Sequence, residues 1–526
     1  MKKLIAIIFT AGLLATSCSE FLTEVPKDEI APDQFFKNPD HAYNSVNALY
    51  RSGVPSLFGA GVYSGSRLMF GPYMSGLVDN DYKGQEIHVQ HAQQLTLNSV
   101  NMSGYLGGFW RDMYLGISRA NNAIKYIPTT PGLVEAEANK LLAEARFFRA
   151  MNYYYLVRYF GGVPLITEPY ESLDNLYVPR SPVADIYGLI VADLTFAAGE
   201  GNLASTTMGS NGNRITQGAA QALLAEVYLT MSGYPLQANH YADAAREARA
   251  IINDGNYSLT QHGRSGGAVD PANSAYNKAR LADNLQNEHI YYYEYSVGIS
   301  NSGYTQYAFP VSMAPELAYA IFNNAYRPTA GLLRAYDAGE DLRIQEKQYF
   351  HSSLTRENGT VANFDTAPHI WFDEEASLET ATSGKDLPIL TYANVLLIAA
   401  EAIARSEGVT AEAVDYLAEI RARAYWKQTE AEVKAQLSGL SPEQFVEEVW
   451  KERLRELLFE FQVWFDIQRT RQYPVTASNG QISFVDVIGH QNSFGATYTE
   501  NHLLFPLPDD ELQRNPALEP NPGYTN

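Results

Sequence analysis

The single cysteine among 526 residues is Cys18. One thiol can build neither an internal disulfide nor a multi-ligand zinc site, so its chemistry is read from its flanks. Lys2 and Lys3 precede an apolar stretch from Leu4 to Ala15, and the small residues Ala15, Thr16 and Ser17 lead into the cysteine. That order predicts an export signal over residues 1–17 and lipidation of Cys18. At about 0.8 kcal/mol per buried methylene, several acyl chains would hold the mature chain firmly at a membrane.

Paired carboxyl groups are the next chemistry to test. A glycosidase needs two of them about 5 to 9.5 Å apart. Asp79 and Asp81 in LVDNDYKGQ, beside Asn80 and Tyr82, are the most suggestive pair. The same residues serve equally as backbone caps in a turn or as acceptors for sugar hydroxyls, and turn ranks above binding and binding above catalysis. His88 and His91 in HVQH could share a metal on a helix, but no third ligand follows at a suggestive spacing. The sequence contains no phosphate-binding glycine loop, nucleophile elbow or metalloprotease motif. The expectation is a non-enzyme with no cofactor and no metal.

Tyrosine is abundant, at 36 against 23 Phe, which gives many large rings a polar end suited to recognition. Sugars present patches of C–H groups edged by hydroxyls, and these suit exposed rings with amides or carboxylates nearby. The candidate rings lie in stretches without helical periodicity: Tyr73 and Tyr82 in one, and Tyr295, Tyr304, Tyr307, Tyr326 and Trp371 in another. Asp79, Asn80, Asp81 and Asn301 are their candidate polar partners. An exposed platform built from Tyr304, Tyr307 and Trp371 is expected to tolerate truncation with little loss of stability.

Those stretches need a frame. From Phe109 the apolar residues Trp110, Met113, Tyr114, Ile117, Ile124 and Ile127 make one helical stripe, ended by Pro128 and Pro131. Leu141, Ala145, Phe148, Tyr155 and Tyr159 share a second face, closed by Gly161 and Gly162. Ser181 is expected to cap a third helix with Pro182 at its first position. Further helices are predicted over Thr216 to Met231, Tyr241 to Ile252, Leu387 to Arg405 and Ala411 to Ala424. A capping box at Ser441 and Gln444 then opens the strongest helix of the chain. On it Val446, Val449, Trp450, Leu454, Leu457, Phe461, Trp464 and Phe465 face inward. Glu448, Lys451, Glu452, Arg455 and Glu456 read as a solvated, paired outer face. Within the irregular stretches Ile290 to Val297 is the clearest strand, with Tyr291, Tyr293 and Tyr295 on one side. The proline-rich end, with a short turn at Asp509 to Arg514, is expected to wrap the scaffold.

Composition narrows the partners. A hydrophobic fraction of 46% marks a globular chain, and a net charge of −21 weighs against nucleic acid and anionic lipid headgroups. The most apolar later segment, Leu387 to Ala404, contains Asn394 and Glu401 and does not read as membrane-spanning. The expected fold class is mainly α: tetratricopeptide-like helix pairs with a loop-rich, partly β insertion half. The helical scaffold covers approximately 105–255 and 386–470, the variable inserts approximately 52–104 and 256–385, and the wrapping segment 471–526. All of 18–526 is one domain.

Three segments, WRDMYLGISRANNAI (110–124), AEARFFRAMNYYYLVRYFGGVPLIT (143–167) and ERLRELLFEFQVWFDIQRT (452–470), resemble the SusD/RagB family of outer-membrane nutrient-binding lipoproteins. TYANVLLIAAEA (391–402) and LLFPLPDDELQRNPALEPNPGY (503–524) resemble its late buried helix and its ending. The chain departs from the pattern at Thr391, Phe461 and Val463, where many members carry Arg, Gly and Arg. The resemblance implies a lipid-anchored protein of the cell outer membrane facing the exterior. It also implies that the protein captures an oligosaccharide and delivers it to a SusC-like TonB-dependent transporter. Two alternatives stand beside it: a scaffold whose helical groove binds a peptide or protein, and a secreted glycan-cleaving enzyme.

Overall fold

Ten helices of the computed structural model form the frame, and four of them open on a Ser or Thr side-chain cap: Thr216, Thr391, Thr410 and Ser441. The structure describes residues 35–52, 70–80, 87–170, 172, 176–281, 287–319 and 326–524. Cys18, the signal segment, Asp81 and Tyr82 lie outside the described residues. The first helices are α1 (Pro39–Ser52), α2 (Ser103–Tyr126) and α3 (Glu135–Phe160). The stripe on α2 is buried at Phe109, Trp110, Met113 and Ile117. From Ala143 onward nearly every residue of α3 is buried, because helices pack on both sides of it.

α4 (Val183–Ala198) starts without a side-chain cap, because Pro182 and not Ser181 occupies the cap position. α5 (Gln217–Ser232) is capped by Thr216, whose side chain accepts from the Ala219 N–H. α6 (Tyr241–Asp254) ends at Gly255, which adopts φ +74° as a left-handed helix end requires. After the long insertion come α7 (Tyr392–Ser406), α8 (Ala411–Ala424), α9 (Pro442–Glu456) and α10 (Val463–Thr470). The Ser441–Gln444 capping box forms as the sequence predicts. Consecutive helices from α1 to α6 pack in a row, and α7 continues the row against α6 before α8 and α9 close on it. This is the mainly α, helix-pair scaffold the periodicity called for.

The insertion leaves the scaffold at Gly255 and returns through a strand. His289–Tyr293 pairs antiparallel with Leu387–Thr391, with register shifts between His289 and Tyr292. The strand is shorter than Ile290 to Val297, because the Tyr295 N–H turns to the Asp386 carboxylate at 2.8 Å instead of a neighbouring strand. Val78–Asp79 pairs with Arg327–Pro328 and so ties the front stretch to the insertion. The tail runs back over the scaffold, with the Phe505 N–H on the Tyr159 carbonyl at 2.7 Å and the Asn521 amide on the Phe160 carbonyl at 3.1 Å. A short helix, Asp509–Arg514, sits where the sequence placed a turn.

The outer face expected on α9 is solvated only in part: Glu448 and Lys451 form the expected pair at 2.7 Å at its edge, and the rest is covered. Glu452, Arg455 and Glu456 are buried, together with Arg453. The insertion folds over them and supplies Arg343, while α8 supplies Arg421 and Arg423. Burial disfavours ionisation of Glu452, yet Arg455, Arg343 and Arg421 hold its carboxyl well below the usual range. Spacing of three and four residues fits an exposed pairing face and a buried network equally well, and the covering segment decides between them.

Candidate functional site

Most of the predicted rings meet, and they meet inside. The Trp371 ring lies 5.7 Å from Tyr304, 6.2 Å from Tyr307 and 5.1 Å from Tyr326, and Tyr326 lies 6.2 Å from Tyr73. Phe459 and Phe461, from the link between α9 and α10, complete the cluster at 5.1 and 6.1 Å from Trp371. Tyr73, Tyr304, Tyr307, Tyr326 and Trp371 are all between 0 and 4% exposed. They therefore belong to the main hydrophobic core, continuous with that of the scaffold, and do not form an exposed platform. Tyr326 and Phe461 both hold left-handed backbone, with φ of +56° and +61°. Non-glycine residues rarely adopt it, and their rings, 5.8 Å apart and nearly perpendicular, supply the compensating packing.

The polar candidates divide. Asp79 accepts from Arg327 at 2.8 Å and from Gln93 at 3.0 Å, which makes it a clamp between the front stretch and the insertion. Asn80 is buried. Asn301 is exposed and its side chain accepts from the Gly298 N–H, while Tyr295 is half-buried above Asp386. His88 sits on a short helix, Ile87–Gln93, stacked 4.1 Å from Tyr105, and burial lowers its pKa to about 4. His91 bonds Thr96 instead of sharing a ligand with it. Among the described residues no group of three His, Cys, Asp or Glu side chains is placed to hold a metal, and no helix is long and apolar enough to cross a membrane.

Behind Tyr304 and Trp371 lies a cavity of about 90 Å³, also lined by Ser302, Tyr276, His289 and Glu460. Among the described residues the buried hydroxyls of Ser302 and Tyr276 have no hydrogen-bond partner. The space suits several water molecules and is small beside the few hundred Å³ or more of ligand pockets. Glu460 accepts from the Thr391 hydroxyl at 3.0 Å. Burial outweighs that bond, and with Glu456, Glu288 and Glu226 adding repulsion it pushes the Glu460 carboxyl up to about 8. A larger groove of about 600 Å³ runs along the scaffold between the end of α3, α10 and the tail, past Arg158, Arg180, Tyr234 and Arg471.

The exposed aromatic rings among the described residues are Tyr170, Tyr177 and Tyr234, none of which was among the candidates. A signal for the first two was present. They sit after Pro169 and before Pro179 in the connection from Phe160 to Val183, which is long for a helix-pair link.

A helix-pair row interrupted by one large insertion, with a proline-rich tail laid back over it, has close counterparts. Residues 237–524 match the SusD family, and residues 69–229 match a family described as starch-binding and associating with the outer membrane. The chain belongs to the SusD family. It is 27% identical over 551 residues to SusD-like protein P2 of Formosa agariphila, covering 100% of both chains. The structure of a SusD superfamily protein from Parabacteroides distasonis superposes with a TM-score of 0.77 at 29% identity, over 92% of this chain and 99% of that one. Surface glycan-binding protein A from Bacteroides fluxus shares the fold, with a TM-score of 0.70 at 21% identity over 93% of this chain and 100% of its own.

Proposed function

We propose that this chain is a surface lipoprotein that binds an oligosaccharide and delivers it to a SusC-like TonB-dependent outer-membrane transporter. The observation that carries the reading is the match of the whole chain to SusD-like proteins, one of them named for surface glycan binding. A family description that places its members at the outer membrane supports the location, and the lipidation pattern at Cys18 fits it. Binding without turnover fits the carboxylates, since Asp79 is engaged by Arg327 and Gln93. Among the described candidates of the loop-rich half, Asn301 is exposed and Tyr295 and Asp79 are half-buried, so ligand contacts there are assigned to these and not to the rings buried behind.

Screening the mature chain on a glycan array tests the reading. Binding of at least one oligosaccharide without release of reducing ends is expected. Binding confined to peptides would support the helical-groove scaffold instead, and release of reducing ends would support an enzyme. Co-purification of a transporter in mild detergent is expected for the delivery step, and recovery of free monomer alone counts against it.

A further inference from the structure

We propose a carbohydrate-stacking platform on the helical half, formed by Tyr170 and Tyr177. The proposal rests on the glycan-binding reading above and adds a site to it. The two rings are 49% and 61% exposed and line one open depression of about 550 Å³. Leu115 and Leu176, 44% and 45% exposed, widen its apolar floor, and Arg111 together with the Arg514–Glu511 pair, at 2.9 Å, supplies hydrogen-bonding groups around it. Single exposed rings are ordinary on a protein surface. Two rings and two leucines gathered in one depression form a patch, and such patches mark binding surfaces.

Tyrosine and guanidinium chemistry selects the ligand class. A tyrosine face accepts the C–H side of a pyranose while its hydroxyl stays in water, and planar guanidinium groups pair with vicinal hydroxyls. The frame beneath is rigid. Ile166 exchanges two hydrogen bonds with the Tyr153 hydroxyl, at 2.7 and 2.9 Å, and its carbonyl also accepts from Asn121 at 2.9 Å. The Tyr114 hydroxyl donates to the Pro164 carbonyl, and the Asn515 amide to the Val178 carbonyl, each at 2.9 Å. These bonds hold the chain at Pro164, Ile166 and Val178, on either side of the rings, and so limit the freedom lost when a ligand stacks there.

Affinity electrophoresis of the mature chain in native gels containing starch, laminarin, xylan or alginate tests the site. At least one polysaccharide is expected to retard the wild type. The Tyr170→Ala/Tyr177→Ala double variant is expected to be held about tenfold more weakly, as loss of central aromatic contacts implies. Tyr177→Ala alone should lose part of the retardation, and Tyr234→Ala, outside the depression, should match the wild type. Melting curves of the variants should overlay, since both rings are exposed. Equal retardation of the double variant and the wild type overturns the platform and leaves the glycan reading standing. No retardation of the wild type by any of the four overturns the glycan reading and the platform with it. Loss of transporter co-purification with undiminished retardation makes the surface a protein contact and also overturns the platform.

Discussion

The Arg343 guanidinium and the Glu452 carboxylate stand 2.7 Å apart with both side chains fully withdrawn from water, joining the insertion to α9. The same guanidinium reaches Asp341 and Glu456, each at 2.7 Å. One cation thus serves three carboxylates from two parts of the chain. The loop-rich half is riveted to the scaffold by charge as well as by the ring cluster. Replacing a buried pair with apolar groups is often harmless, but removing Arg343 alone takes from buried Asp341 its cation and from Glu452 and Glu456 one of theirs.

Arg343→Ala is therefore expected to destabilise the fold by about 3 to 5 kcal/mol, read from urea unfolding. Arg343→Lys should recover little of this, because one ammonium cannot reproduce the forked contacts to three carboxylates. A lysine variant as stable as the wild type would show that the network is worth less than its geometry implies.

The ring cluster makes a second demand on stability. Trp371 touches Tyr304, Tyr307, Tyr326, Phe459 and Phe461, so Trp371→Ala opens a cavity in packed aromatic surface. A loss of about 3 to 5 kcal/mol is expected. This reverses the expectation of a truncation without structural cost. Phe461→Gly separates two effects, because glycine accepts φ +61° freely but removes the ring. It should cost less than Phe461→Ala, which loses the ring and keeps the strained backbone. Equal losses in the two variants would mean that the backbone at Phe461 carries no strain.

The helices were legible because their signals are local. Ser441 and Gln444 lie three residues apart on one chain segment, and the inward stripe through Val446 and Val449 needs no knowledge of what covers it. Exposure was not legible, because it depends on distant segments. The sequence places Tyr304 and Trp371 in irregular stretches, and only the arrival of Phe459 and Phe461 from the scaffold turns them into core. Arg343 likewise lies 109 residues before Glu452, so nothing near α9 signals that its charges will be covered. The rings singled out in the irregular stretches do gather, but as core, and the most exposed rings, Tyr170 and Tyr177, lie in a link of the helical half.

The anchor can be tested without reference to the fold. Cys18→Ala is expected to abolish acylation and release the protein from outer membranes, since no described helix could span the bilayer. Metabolic labelling with an alkyne fatty acid, followed by membrane fractionation, measures both effects. A variant that is still labelled would remove Cys18 from the anchoring scheme. Protease shaving of intact cells would separately show which way the anchored protein faces.

Thr391 and Glu460 show what one departure from the family pattern does. The resemblance to the SusD/RagB family implies arginine at the position of Thr391, and a guanidinium there would neutralise the Glu460 carboxyl. Thr391 offers a hydroxyl instead, and the Glu460 pKa rises to about 8 from an ordinary value of 4.5. The sign follows from linkage. Below about pH 4.5 the group is protonated in both folded and unfolded chains and costs nothing. As the pH rises towards 8 the unfolded chain ionises first, so stability falls across that window and levels off above it. Glu460→Gln keeps an acceptor for Thr391 and cannot ionise. Its advantage over the wild type is expected to grow with pH across this window, reaching about 5 kcal/mol for the full rise from 4.5 to about 8. Thr391→Arg should flatten the same window by holding the carboxylate charged in the folded chain. Melting temperatures of the three proteins at several pH values decide the matter. A wild type and a Glu460→Gln variant that stay parallel throughout would place the Glu460 pKa near its ordinary value.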